Sequence, residues 1–133
     1  MIPLFADTFY FLAPVHADDT AHERALRLAK ARTDAIITTV WVLTEVADAL
    51  AAPSMRATFP RLLASLCADP ACTIVPPSSD LFERGAALYS DRPDKSWSLT
   101  DCISFVVMQE GGITQALTGD RHFEQAGFTA LLK

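Results

Sequence analysis

What this sequence has little of narrows it first. Cysteine is scarce: Cys67, Cys72 and Cys102 are odd in number and form no CxxC pair. That excludes a disulfide framework and points to reduced, partly buried thiols in a cytoplasmic protein. Long apolar runs are missing. The opening stretch MIPLFADTFYFLAPV has no basic flank and is interrupted by Asp7, so neither a secretory signal nor a membrane-spanning helix is expected. Basic charge is also short, with 11 Lys and Arg against 16 Asp and Glu, a formal net charge of −5. Such a balance excludes a strongly basic, passive binder of polyphosphates. It leaves a metal-dependent one open, because bound divalent cations would neutralise some of the acids. The sequence contains no GxSxG, no Walker lysine and no HExxH. His16, His22 and His122 are too scattered for a zinc cluster and are left to surface or helix-end hydrogen bonds.

What is present suits one packed unit. Half of the 133 residues are hydrophobic, and no repeat, linker or low-complexity run divides them, so residues 1–133 are expected to form a single domain. Short apolar or β-branched runs predict strands at Ile2–Ala6, Ala35–Thr38, Cys72–Val75, Gln115–Leu117 and Phe128–Leu131. Between them, helices are expected over Thr8–Leu12, from Asp18 or Asp19 to Arg32, over Val40–Ala52 and over Ser54–Ala68. Further helices are expected from a cap at Ser79 or Asp80 to Ser90, over Leu99–Gln109 before Gly111-Gly112, and over Arg121–Gln125. Alternation of this kind predicts an α/β fold, a mainly parallel sheet of four to five strands in a three-layer α/β/α arrangement.

Four acids stand in revealing places. Asp7 directly follows the first strand and Asp120 follows the fourth, after Thr118-Gly119. Ligands of open α/β sheets bind outside the carboxyl ends of the strands, which is where both residues point. The plainer alternative for each is a helix N-cap. Glu45 lies beside the apolar stripe of the Val40–Ala52 helix, where an unpaired carboxylate is costly; a small rotation would expose it instead. Asp48, one turn on, is a weaker candidate. Asp101 opens the helix SLTDCISFVVM, and its spacing from Ser98 also fits a capping box. Together the four supply the hard oxygen ligands that Mg²⁺ and Mn²⁺ prefer. One or two such ions could activate water and stabilise the leaving 3′-oxygen of a phosphodiester.

These acids in their contexts resemble the PIN-domain family, in particular its small bacterial toxin-like ribonucleases of the VapC type. The resemblance rests on the apolar strand ending in Asp7-Thr8, Glu45 in the helix after the second strand, SLTDCISFVVM around Asp101, and ALTGDRHFEQAGF around Asp120. It implies a PIN-like fold and a Mg²⁺- or Mn²⁺-dependent ribonuclease acting on RNA. A homodimer and a small antitoxin protein that blocks the site are also implied. Asp7, Glu45, Asp101 and Asp120 then carry over as metal ligands, and Thr118 as a catalytic-site hydroxyl that orients a carboxylate or water. Thr8 could act in the same way, or as a helix cap. Arg121 and His122 could touch phosphate, with a salt bridge as the alternative for Arg121.

A PIN-like binding or interaction module without useful turnover is the rival reading. Receiver and haloacid-dehalogenase phosphotransfer fail, because Phe9 stands where the second acid would be needed and Pro76-Pro77 follows the third strand. Phe9, Phe11, Leu12, Phe59 and Leu63 are expected as apolar surplus for a homodimer interface, or else as core filling. Arg56, Arg61, Arg92 and Lys95 are candidates for the rim of an RNA groove.

Overall fold

The computed structural model describes residues 2–15 and 35–133. The helix expected from Asp18 or Asp19 to Arg32, with His16 and His22, lies outside the described residues. Five strands form one all-parallel sheet: β1 (Leu4–Ala6), β2 (Ile36–Thr39), β3 (Cys72–Val75), β4 (Gln115–Leu117) and β5 (Thr129–Ala130), in the order β3-β2-β1-β4-β5. The helices are α1 (Thr8–Leu12), α2 (Val40–Ala49), α3 (Thr58–Ala68), α4 (Ser79–Asp91), α5 (Leu99–Glu110) and α6 (Arg121–Gln125). From β1 the chain steps outward to β2 and β3, then returns to lay β4 on the other side of β1. Parallel crossovers are right-handed as a rule, so the two directions of travel put helices on opposite faces of a three-layer α/β/α fold. The reversal falls between β1 and β4, so their carboxyl ends frame the crevice where such sheets bind ligands.

Where element ends differ from expectation, local chemistry explains the shift. The helix expected from Ser54 begins at Thr58, because Pro60 lacks an N–H and is tolerated only in a first turn. The helix expected to reach Ala52 stops at Ala49, short of Pro53, which disfavours helical backbone in the residue before it. The cap of α4 is Ser78, whose side chain accepts from the Leu81 N–H, and not Ser79 or Asp80. At the end of α5, Gly112 adopts φ 65°, and the Ile113 and Gly112 N–H groups bond to the carbonyls of Met108 and Gln109. That pattern is a Schellman stop at the expected glycine pair.

The core sits over the centre of the sheet. Phe5, Phe105 and Phe123 are buried, with ring centroids 6.2 Å apart for Phe5–Phe123 and 5.0 Å for Phe105–Phe123. Trp97 meets Phe105 edge-on at 5.0 Å. Each such side chain contributes about 1.5–3 kcal/mol by burial. The cluster clamps α5 and α6, which carry Asp101 and Asp120, onto β1 and β4. On the other flank α4 lies tight on α5: a Cβ at Gly85 would come within 2.3 Å of the Ile103 side chain. The expected apolar surplus is divided between core and surface, with four of its five side chains half-buried. Phe11 is buried, and Phe9, Leu12, Phe59 and Leu63 pack against the core, as core filling requires. The large apolar side chains that do stand exposed among the described residues are Ile2, Val15, Phe82 and Tyr89. No helix among the described residues is long and apolar enough to cross a membrane.

Candidate metal centre

Asp7 is the first residue beyond β1 and the N-cap position of α1, yet its side chain makes no capping bond. Its carboxylate instead accepts from the buried Thr118 hydroxyl at 3.0 Å. Directly below, the Thr38 hydroxyl donates to the Ala6 carbonyl at 2.8 Å and ties β2 to the end of β1. The capping alternative for Asp7 therefore fails, and the carboxylate is directed into the cleft.

On α2, Val42, Leu43 and Val46 are buried, and Thr39 caps the helix by accepting from the Val42 N–H. This orientation leaves Glu45 half-buried on the flank facing α1, where it accepts a 2.5 Å hydrogen bond from the Thr8 hydroxyl. Asp48 is exposed and does not line the cleft. Thr8 thus orients a carboxylate, while the cap position belongs to Asp7.

Asp101 and Asp120 keep their plain structural roles and reach the cleft as well. The capping box is complete: Asp101 N–H donates to the Ser98 hydroxyl at 3.0 Å, and Ser98 N–H donates to Asp101 Oδ2 at 3.1 Å. Asp120 caps α6 by accepting from the His122 N–H at 2.9 Å, and its own N–H donates to the Thr118 hydroxyl at 3.0 Å. Thr118 is accordingly bonded to Asp7 and Asp120 at once. Gly119, between them, admits the Phe9 ring, which a Cβ there would strike at 2.6 Å.

All four carboxylates line one cleft of about 480 Å³. His122, expected only as a candidate phosphate contact, stands in that group as well, and here the tertiary fold adds a member. Its Nδ1 lies 3.1 Å from Asp101 Oδ2 and 3.4 Å from Asp120 Oδ2. Ligand atoms of these three residues all fall within 4.8 Å of one another. The only sequence signal was position, two residues after Asp120 in the first turn of α6. Arg121 points outward, exposed, with no ion pair among the described residues, so the salt-bridge alternative is not realised.

Among the described residues, no lysine or arginine lines the cleft. Burial, reinforced by the nearby Asp101 and Glu45 carboxylates, pushes the Asp7 carboxyl from its ordinary 3.8 up to about 7 against the opposing bonds from Thr8 and Thr118. Burial also raises Asp101, with the charge of Asp120 adding to it and the bonds from Ser98 and His122 opposing. A cluster of like charges partly withdrawn from water is the environment a divalent cation relieves. The donor set, carboxylate oxygens with one imidazole nitrogen, fits a hard to borderline ion such as Mg²⁺ or Mn²⁺.

Comparison with known proteins identifies the family and the fold. The family model for the PIN domain matches residues 4–129. Among solved structures the chain is similar to the crystal structure of VapC20 from Mycobacterium tuberculosis, a toxin that cleaves the sarcin-ricin loop. The likeness has 25% sequence identity and a TM-score of 0.85, and it covers 95% of this chain and 96% of that one. No curated protein matches.

Proposed function

This chain belongs to the PIN-domain family, and from that premise we propose that residues 1–133 act as one divalent-metal-dependent endoribonuclease domain, the toxin of a toxin–antitoxin pair. The observation that carries the reading is the convergence of Asp7, Glu45, Asp101 and Asp120 on one cleft at the carboxyl ends of β1 and β4. The likeness to VapC20 supports RNA as the substrate and a small antitoxin protein as a partner; a cytoplasmic setting is proposed from the scarce, unpaired cysteines.

In this reading Asp7, Glu45, Asp101 and Asp120 hold Mg²⁺ or Mn²⁺. When bound, the ion supplies Lewis acidity, making water a better nucleophile and offsetting charge on the leaving 3′-oxygen. The chain's own residues do the positioning. Thr118 fixes the Asp7 carboxylate and the Asp120 backbone together, so the ends of β1 and β4 present their acids in one register. Thr8 holds Glu45 toward the same space. His122 sits between Asp101 and Asp120 and either joins the ligand set or donates to both carboxylates. Phe9, Leu12 and Ala13 form the apolar wall, which limits water and strengthens the electrostatics inside.

Cleavage of labelled RNA by the purified chain, with MgCl₂ or MnCl₂ and with EDTA, tests the proposal. Metal-stimulated cleavage that Asp7→Asn removes is the expected result. RNA binding with no cleavage under any metal would favour the binding-module reading instead. A homodimer is proposed from the same resemblance, and a monomer mass by light scattering at micromolar concentration would reject it.

A further inference from the structure

A second, larger groove of about 920 Å³ runs along the segment joining α4 to α5. We propose that this groove is a subsite for a flanking nucleotide of single-stranded RNA, reading a base by stacking and its phosphate by charge. The proposal rests on the ribonuclease reading above and adds to it the place where the substrate strand is held.

Its walls are built for a planar, anionic ligand. Arg92 donates twice to Asp94, at 3.0 Å for each bond, which holds the guanidinium flat. That plane lies over Trp97, with Cζ 5.1 Å from the ring centroid. A fixed guanidinium backed by an aromatic ring is a stacking platform for a nucleobase. Tyr89, also lining the groove, is 55% exposed, an aromatic ring offered to solvent. Lys95 Nζ, 3.9 Å from the same Asp94, brings a second cation against that single carboxylate. The lining thus holds two cations and no carboxylate, offset by Asp94 and the neighbouring Asp91, in a chain whose formal net charge is −5. Hydroxyls of Ser96 and Ser98 complete a polar rim. An amphipathic peptide helix would want a floor of large aliphatic side chains, and this groove offers mainly aromatic and polar ones.

The groove shares no lining residue with the acid cleft but lies one capping contact from it. Ser98 lines the groove and is the capping partner of Asp101. Trp97 donates its Nε1–H to Gln125 on α6 at 3.0 Å and meets Phe105 on α5 edge-on at 5.0 Å, so the platform is pinned to the two helices that bear Asp101 and Asp120. A strand whose phosphate enters the cleft passes Ser98 to reach Arg92 and Tyr89.

The test is fluorescence anisotropy of end-labelled single-stranded RNA oligonucleotides with the full chain in Ca²⁺, a hard cation with the same preference for oxygen ligands, with RNA integrity checked on a gel. Tyr89→Ala and Arg92→Ala are each expected to weaken binding about tenfold, the scale of one lost stacking contact. Arg92→Lys should weaken it similarly while keeping the salt dependence, whereas Lys95→Gln should flatten the logarithmic salt slope by about one. Melting curves establish that each variant is folded. Unchanged oligonucleotide affinity in all four variants overturns the subsite even if the chain cleaves RNA. Weakened affinity for a protein partner alone would likewise overturn it. If the variants behave as expected but no metal supports cleavage, the subsite stands and the ribonuclease reading falls.

Discussion

The two sides of the acid cleft hold their carboxylates by different means. On the α5–α6 side, Asp101 and Asp120 each satisfy the start of their own helix, and His122 lies against both. On the β1–α2 side, Asp7 caps nothing and Glu45 rests on Thr8, so neither acid has a local structural duty. Acids of the first kind are retained by folding as much as by chemistry. Asp7, of the second kind, is a cost to the metal-free fold, visible in its pKa raised to about 7; burial raises Asp101 too, but there the capping bond from Ser98 opposes it. Stability measurements should therefore separate the sides even where activity measurements do not.

The largest effect expected is on cleavage. Asp7→Asn and Asp101→Asn should each lower metal-dependent RNA hydrolysis at least about a hundredfold, on the order of a lost electrostatic contact in an active site. If both variants cleave at the wild-type rate, the four-acid centre is wrong. The comparison sharpens in melting without metal: Asp7→Asn is expected to raise the melting temperature. Asp101→Ala, which deletes half of the capping box, should cost about 1 kcal/mol.

Next in size is the dependence on pH. A carboxyl at 3.8 in the unfolded chain and about 7 in the native one keeps a proton that unfolding releases. Below 3.8 both states are protonated and Asp7 has no effect on stability. Raising the pH from there to about 7 progressively destabilises the metal-free fold, by up to about 4 kcal/mol. Denaturant midpoints across that range should fall for the native sequence and fall less for Asp7→Asn. Equal slopes would remove the distinction between the two sides.

Metal linkage comes third. Mg²⁺ or Mn²⁺ at a hundred times its dissociation constant should stabilise the chain by about 2.7 kcal/mol, by mass action on the native state. Glu45→Gln should shrink the thermal increment, and an unchanged increment would put Glu45 outside the ligand set. The smallest effect expected is at His122. If its imidazole is a ligand, His122→Gln should reduce the Mn²⁺ increment more than that of Mg²⁺, because the smaller, harder ion gains less from nitrogen. Equal losses for the two metals would leave His122 as a hydrogen-bond donor only.

Much of this was legible in the chain itself, for identifiable reasons. Strand-to-helix alternation predicted the sheet because apolar runs must be covered on both faces, and all five expected strands are present. Capping chemistry is local, which is why the Ser98–Asp101 box and the Gly111-Gly112 stop could be read from spacing. Errors of one to four residues fell at helix ends, where proline geometry competes with periodicity, as at Pro53 and Pro60. Periodicity shows which face is greasy and not what packs on it: Phe9 fills the space over Gly119, a residue 110 positions away.

The sequence by itself determined the fold class, the acids and their positions relative to strands and helix starts, since each follows from contacts a few residues long. Strand order, and with it the meeting of β1 and β4, was decided only in three dimensions, because crossovers of many residues leave no local trace. So were the choice between the two rotations of α2 at Glu45, the buried Thr118 bond that joins Asp7 to Asp120, and the entry of His122 among the acids. These depend on side chains far apart in sequence being held at hydrogen-bond distance, and only the packed core around Phe5, Phe105 and Phe123 does that.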